Sequence, residues 1–315
     1  MKLKINIPQN FLSEEIRCGV KVTKSIKELW AVEIDLLKEL DRVCTKYNII
    51  YSVSGGTLLG AVRHRGFIPW DDDIDVMMMR DQYERLCSVA ESEFVSPYFF
   101  QTEKTDPGCM RRFARLRNID TTGIIKWELP MRPTFNQGIF IDIFPLDAVV
   151  PEKNKYEKQC IIDKVYLKLF SLANSIERNS YPYSSVSFLR EIKRYLNCIV
   201  GPLFKKIGVC QYIYAKLLEN YQLYNSCDTE YVSLLSFQIR NLAWMVQRSS
   251  LMNIEYVPFE FIQVPIIKDF DEHLRRKYGE YMVPQKIPNF HGELIYDVNQ
   301  SFKEFYKKFG QPCLN

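Results

Sequence analysis

Four aspartates fall within five positions, Asp71, Asp72, Asp73 and Asp75, and the chain then runs straight into Val-Met-Met-Met. In an extended segment side chains alternate, so Asp71, Asp73 and Asp75 are expected on one side and Ile74 and Val76 on the other, in apolar packing. Few folds accept such a run at the margin of the core. Carboxylates at this density repel one another unless a cation stands among them.

The residues just upstream narrow the chemistry. "IIYSVSGG" (49–56) reads as a short strand entering a glycine turn, where backbone N–H groups can approach a phosphate and Thr57 adds a hydroxyl. Arg63, His64 and Arg65 follow within a few residues, and guanidinium forks suit phosphate oxygens. Further on, "GIFIDIFPLDAV" (138–149) is an apolar strand broken by one carboxylate, Asp142, flanked by Ile141 and Ile143. A hard divalent ion such as Mg2+ takes all-oxygen ligands and completes its shell with substrate phosphates. Glycines, cations and a metal-binding acid set together describe phosphoryl transfer.

Composition removes other classes. A net charge of +4 from 42 basic and 38 acidic residues is too slight to argue for nucleic acid. Nine cysteines stand singly with no CxxC, which fits a reducing cytoplasm better than a disulfide framework or a cysteine-rich zinc site. "MKLKINIPQNFLSEE" contains no apolar run of signal-peptide length. "YLNCIVGPLF" (195–204) is about half of what spans a bilayer. Three dispersed histidines exclude a histidine-based metal centre, and His273, in a charged helix, is expected at the surface.

Periodicity lays out a mixed chain. Residues 25–47 predict a helix with Leu29, Val32, Leu36, Leu40 and Val43 on one stripe. "TLLGAVRHRG" predicts one or two helical turns, "IDVMMM" a strand, "RDQYERLCSVAESEF" a helix and "CMRRFARLRNID" a strand. In that last strand Arg111, Arg115 and Arg117 share a face that could hold a diphosphate, Arg117 being preferred. "FEFIQVPII" (259–267) predicts a strand, and "DFDEHLRRKYGEYM" a closing helix ended by Gly279. The fold class is α/β (α+β): a catalytic core at 20–150, a helical insertion at 151–250, and a return to the core at 251–315.

"GGTLLGAVRHRGFIPWDDDIDV" resembles the signature of the LicD family, the bacterial phosphocholine transferases related to fukutin and fukutin-related protein. "FARLRNIDTT", "GIFIDIFPLD" and "LRRKYGEYMVPQKIPNFH" resemble its later blocks, so the likeness covers about 25–150 and 255–292. The resemblance implies a nucleotidyltransferase-type core. It puts the turn at Gly55-Gly56 and the metal ligands at Asp73, Asp75 and Asp142, with Asp71 as an extra ligand or base and Asp72 facing away. It further implies Mg2+, with Mn2+ as the alternative, a CDP-alcohol donor, CDP-choline favoured, and a hydroxyl of a cell-surface glycan as acceptor, lipid-linked in some cases. Trp70 is an aromatic neighbour of the acids, with Phe67, Trp127 and Phe135 nearby, and His291, in the last block, is a further substrate-binding candidate. An NTP-using nucleotidyltransferase and a non-catalytic accessory protein are the alternatives.

Within the insertion, "FLREIKRYLNCIVGPLFKKIG" (188–208) carries an apolar stripe of Leu189, Ile192, Leu196 and Ile199 beside Arg190, Lys193, Arg194, Lys205 and Lys206. The stripe suits either core packing or a weak contact with the inner face of the cell membrane.

Overall fold

A computed structural model describes residues 3–131, 133–178, 188–285 and 293–308. The chain divides into two compact units, Met1–Leu146 with Ala243–Asn315, and Asp147–Leu242. The sequence breaks expected at 150/151 and 250/251 compare with breaks at 146/147 and 242/243.

Unit 1 opens with a hairpin, β1 (Glu15–Arg17) and β2 (Val20–Val22), and then helix α1 (Lys24–Lys46). The Thr23 side chain caps α1 by accepting the Ile26 N–H. All five stripe residues are buried, and so are Trp30, Ala31, Ile34 and Leu37. The helix is therefore embedded nearly all round, which a single stripe did not suggest.

Next come β3 (Ser52–Val53), α2 (Gly55–His64), β4 (Asp75–Met79), α3 (Arg80–Glu93), β5 (Tyr98–Gln101), β6 (Ala114–Asn118), β7 (Thr122–Ile125) and β8 (Ile139–Ala148). The unit-1 part of the sheet has the order β3-β4-β8-β6-β5. Strand β4 runs parallel to β8, while β3–β4, β6–β8 and β5–β6 are antiparallel. The sheet is mixed, as expected for an α/β chain. Val76, Met78, Leu116, Ile141 and Ile143, all on one face, are fully buried.

Unit 2 holds the last two residues of β8, then α4 (Lys153–Arg178), α5 (Phe188–Ile207), α6 (Val209–Gln222), β9 (Tyr231–Ser233) and the short α7 (Leu235–Gln238). Unit 1 resumes with β10 (Val246–Gln247), β11 (Ile254–Phe259), β12 (Ile262–Ile267), α8 (Phe270–Tyr278), β13 (Leu294–Asp297) and α9 (Phe302–Lys308). One strand was expected at 259–267, but the chain makes an antiparallel hairpin, β11–β12, that turns at Glu260 (φ +53°). Glu260 shows why. Its carboxylate takes both Arg17 Nη1 and Nη2, at 2.5 and 2.8 Å, and the Phe67 N–H at 3.0 Å. The turn is thus tied to two distant segments, a constraint that no local pattern carries.

His273 corrects another expectation. It is buried, not superficial, with Nδ1 3.2 Å from the Met245 carbonyl oxygen. Burial, and then Lys277 and Arg276, push its pKa from 6.5 down to about 4. The folded state therefore favours neutral imidazole. Its stabilising contribution is complete above pH ~6.5 and is lost as pH falls towards 4. Urea unfolding of the wild type should weaken across that window by up to about 3 kcal/mol more than that of His273→Gln. Parallel pH profiles would refute the assignment.

Candidate active site

The sheet register builds the site. Asp75 is paired across β4 and β8 with Asp142, and Asp142 is paired across β8 and β6 with Arg115. Directly paired residues point to the same face, so a row Asp75–Asp142–Arg115 crosses three strands. Arg115 grips Asp142 through Nε at 2.5 Å and Nη2 at 3.2 Å and stacks 3.5 Å over the Phe140 ring. A carboxylate has about four lone-pair sites, so Asp142 keeps acceptor capacity for a further cation.

The other acids arrive on a loop. Residues 71–74 are not strand; only Asp75 is. The Trp30 indole N–H donates to the Asp71 carbonyl oxygen at 3.0 Å, and Ile74 is fully buried, which fixes the loop at both ends. Gly55-Gly56 proves to be the first turn of α2 instead of a free-standing turn. The first N–H groups of a helix have no carbonyl partner within it and carry its partial positive charge. Gly55 has φ +57°, and a Cβ there would lie 2.8 Å from Asp75 Oδ2, while a Cβ on Gly56 would collide with Asp71 Oδ2. The carboxylates therefore lie directly against the glycines. Gly55→Ala should cost about 1–2 kcal/mol of stability, through left-handed strain, and displace the Asp75 carboxylate. A variant with wild-type melting and turnover would contradict that packing.

Several residues expected to bind substrate have protein partners of their own. Thr57 is buried and its Oγ1 accepts the Asp75 N–H at 2.9 Å, so it ties α2 to β4. Arg63, His64 and Arg65 lie at the opposite end of α2, nine residues and ~13 Å along the axis from Gly55. There Arg63 donates to the Tyr281 carbonyl oxygen at 2.6 Å and to His64 Nε2 at 2.9 Å. Burial, followed by Arg63 and Arg17, pushes the His64 pKa down to about 4, which leaves a neutral acceptor. Arg65 is the exposed left-handed cap of α2. Arg117, the preferred diphosphate ligand, is fully buried and bonded to Gln101 Oε1 and the Gly138 carbonyl oxygen, each at 2.6 Å. Trp70 is half-buried next to the acids. Phe67 and Phe135 are core, Phe67 stacking on Trp30 at 4.5 Å, and Trp127 is exposed. His291 lies outside the described residues.

Three residues not expected from sequence complete the site. Lys277, on α8, has its ammonium 3.1 Å from the Trp244 ring centroid and 3.6 Å from the Cβ position of Gly55. Burial pulls its pKa down to about 7, against the opposing pull of Asp75, Asp73 and Asp71. The Tyr278 hydroxyl beside it is pushed upward by burial and then by the same three aspartates. Beneath them, Glu33 of α1 is buried with Oε2 lacking a hydrogen-bond partner; burial and then Asp73, Asp72, Asp71 and Asp75 hold its pKa well above the ordinary value. Glu33 was legible only as a charge inside α1's most buried turn, and Lys277 only as one cation among "RRK".

The donor set is all oxygen and strongly anionic, which suits a hard divalent ion. Among the described residues no three acid, histidine or cysteine side chains converge closely enough to grip one as they stand. The charge of Lys277 opposes those of Asp75, Asp73 and Asp71, and the orphaned Glu33 oxygen is spare donor capacity. The chemistry fits Mg2+, and binding it requires the acids to draw together.

Residues 48–171 match the family model described as LicD/FKTN/FKRP, nucleotidyltransferase domain. Over 284 residues the chain is 27% identical to the lipopolysaccharide cholinephosphotransferase LicD of Haemophilus influenzae, covering 88% of this chain and 98% of that protein. An uncharacterized protein of Rickettsia prowazekii is 52% identical over 46 residues, 15% of this chain and 17% of that one. A similar protein of Rickettsia typhi matches equally over 46 residues.

Proposed function

This chain belongs to the LicD family, and from that premise we propose that it transfers phosphocholine, or a related phosphoalcohol, from a CDP-activated donor to a hydroxyl of a cell-surface glycan. The observation that carries this reading is the Asp75–Asp142 pair in register, on adjacent parallel strands within the matched region, beside the N-terminal turn of α2. The acceptor is a glycan of the lipopolysaccharide, teichoic acid or capsule type, and the core is a nucleotidyltransferase-type sheet. The protein works on the cytoplasmic side, in solution or against the inner face of the membrane, and has no nucleic-acid partner.

Each part of the site has a task. Asp73, Asp75 and Asp142 would hold Mg2+, with Asp71 as a further ligand or as the base that takes the acceptor's proton. The ion, when bound, neutralises charge on the transferring phosphoryl oxygens. Arg115 holds the Asp142 carboxylate in place. The N–H groups of Gly55 and Gly56 and the Lys277 ammonium offer positive charge to the donor's phosphates as CMP departs. Tight Asp71 and Asp75 packing against the glycines keeps those donors at a fixed distance from the acids.

Product analysis tests the reading. Labelled CDP-choline incubated with Mg2+ and a glycan acceptor should give labelled glycan and free CMP in equal amounts. Consumption of CTP with release of pyrophosphate, and no use of CDP-choline or CDP-ribitol, would establish nucleotidyl transfer instead. Inertness to all of these, with no Mg2+-dependent nucleotide binding, would favour the accessory role.

A further inference from the structure

Helix α4 of unit 2 is built inside out. Its buried side is studded with polar groups. Gln159 Nε2 donates to the Asn220 carbonyl oxygen at 2.6 Å, Asn220 Nδ2 donates to the Gln159 carbonyl oxygen at 3.1 Å, and the Tyr221 hydroxyl donates to Asp163 at 2.7 Å. The opposite side carries Ile161, Val165, Leu169 and Leu172, spaced by four, four and three residues and 44–58% exposed. That spacing puts all four on one stripe. An ordinary solvent-facing helix has the reverse arrangement. On α5 the exposed Ile199, Leu203 and Ile207 form a second stripe, spaced by four and four. The stripe expected at 189–199 overlaps this one only at Ile199; the side chains of 188–197 lie outside the described residues.

The charges beside the middle of these stripes are basic, and the exposed Glu157, one turn before Ile161, lies 3.9 Å from Lys153. From 158 to 176 every exposed charged residue is a lysine, Lys158, Lys164 and Lys168, because the one acid in that span, Asp163, is buried against Tyr221. Lys205 and Lys206 stand exposed beside Leu203 and Ile207. Among the described residues no helix is long and apolar enough to cross a membrane. A second copy of the chain is a poor occupant. A two-fold contact would bring these lysines towards their own symmetry mates, and lysine is depleted from protein interfaces.

We propose that the α4 stripe, with its lysines, is a docking face for an anionic lipid surface, on which the helix lies with its aliphatic side chains in the headgroup region. Aliphatic burial holds it and lysine attraction selects the charge of the surface. The contact is reversible, needs anionic lipid and weakens as salt screens it. It stands independently of the transfer chemistry.

The test is co-sedimentation of the full chain with phosphatidylcholine vesicles, with and without phosphatidylglycerol, at low and high salt. Binding should require phosphatidylglycerol and fall at high salt. Leu169→Gln with Leu172→Gln should weaken it at least about tenfold, and Lys164→Gln with Lys168→Gln about thirtyfold. Both pairs are exposed, so melting should be unchanged, and transfer to a soluble acceptor should persist in any variant of an active enzyme. The lysine pair leaves the apolar stripe intact and tests the proposal even where the leucine pair fails to fold. Three results would overturn it: no binding to phosphatidylglycerol vesicles, binding that both folded variants retain, or light scattering that shows a dimer dissociated by the leucine pair.

Discussion

Asp75→Asn is expected to lower turnover by about a hundred- to a thousandfold, the loss that follows removal of one group stabilising transition-state charge, while leaving the protein at least as stable as the wild type. The change is nearly isosteric. It keeps the backbone of Asp75, whose N–H goes to Thr57 Oγ1 at 2.9 Å and whose carbonyl oxygen accepts the Ser54 N–H at 2.9 Å. What disappears is one negative charge from a cluster that also holds Asp71 and Asp73 and presses on buried Glu33. Relief of that repulsion should raise the melting temperature measured without metal, and the Mg2+-dependent increase in melting temperature should shrink. Asp73→Asn should behave in the same way. Full activity in either variant at saturating Mg2+ would remove that residue from the site.

How far the sequence leads to this site depends on whether the determinants are local. The strand at 139–148 and the acid on it are readable because a near-continuous apolar run is a short-range pattern, and α1, β4 and α3 are likewise readable from local patterns. The pairing that matters, Asp75 beside Asp142, is a register between segments 67 residues apart, and only the sheet supplies it. Arg117 shows the reverse case. Its place on Arg115's face was legible, but its partners there were not: Gln101 on β5 and the Gly138 carbonyl oxygen take Nε and Nη1, and Nη2 is buried without a hydrogen-bond partner. Arg63, His64 and Arg65 are close to the glycines in sequence, but a helix of ten residues carries them to its far end. Nearness along a chain is informative only once the element is known. Glu33 and Lys277 were missed because a lone acid in a helix and a run of cations are, in sequence, indistinguishable from ordinary solvated charges; what distinguishes them is burial against Asp71, Asp73 and Asp75.

Lys277→Met should separate two roles that this lysine combines. Methionine keeps an unbranched stem to lie on the Trp244 ring and loses only the charge. Burial pulls the ammonium's pKa down to about 7 even against Asp71, Asp73 and Asp75, so near neutral pH its removal relieves more desolvation cost than it loses in attraction, and the metal-free protein should melt higher than the wild type. The same carboxylates, freed from a competing cation, should bind Mg2+ more tightly, so the melting increase on adding Mg2+ should exceed that of the wild type. Turnover should nevertheless fall by about ten- to a hundredfold, because the ammonium no longer faces the donor's phosphates. Stronger metal binding with weaker catalysis is a combination that simple misfolding does not produce. It follows only if Lys277 balances the acids in the empty site and turns to the donor in the filled one. Unchanged melting without metal, together with unchanged Mg2+ affinity, would show that the lysine belongs to the Trp244 and Tyr278 rings alone, and that the acids are balanced by some other group.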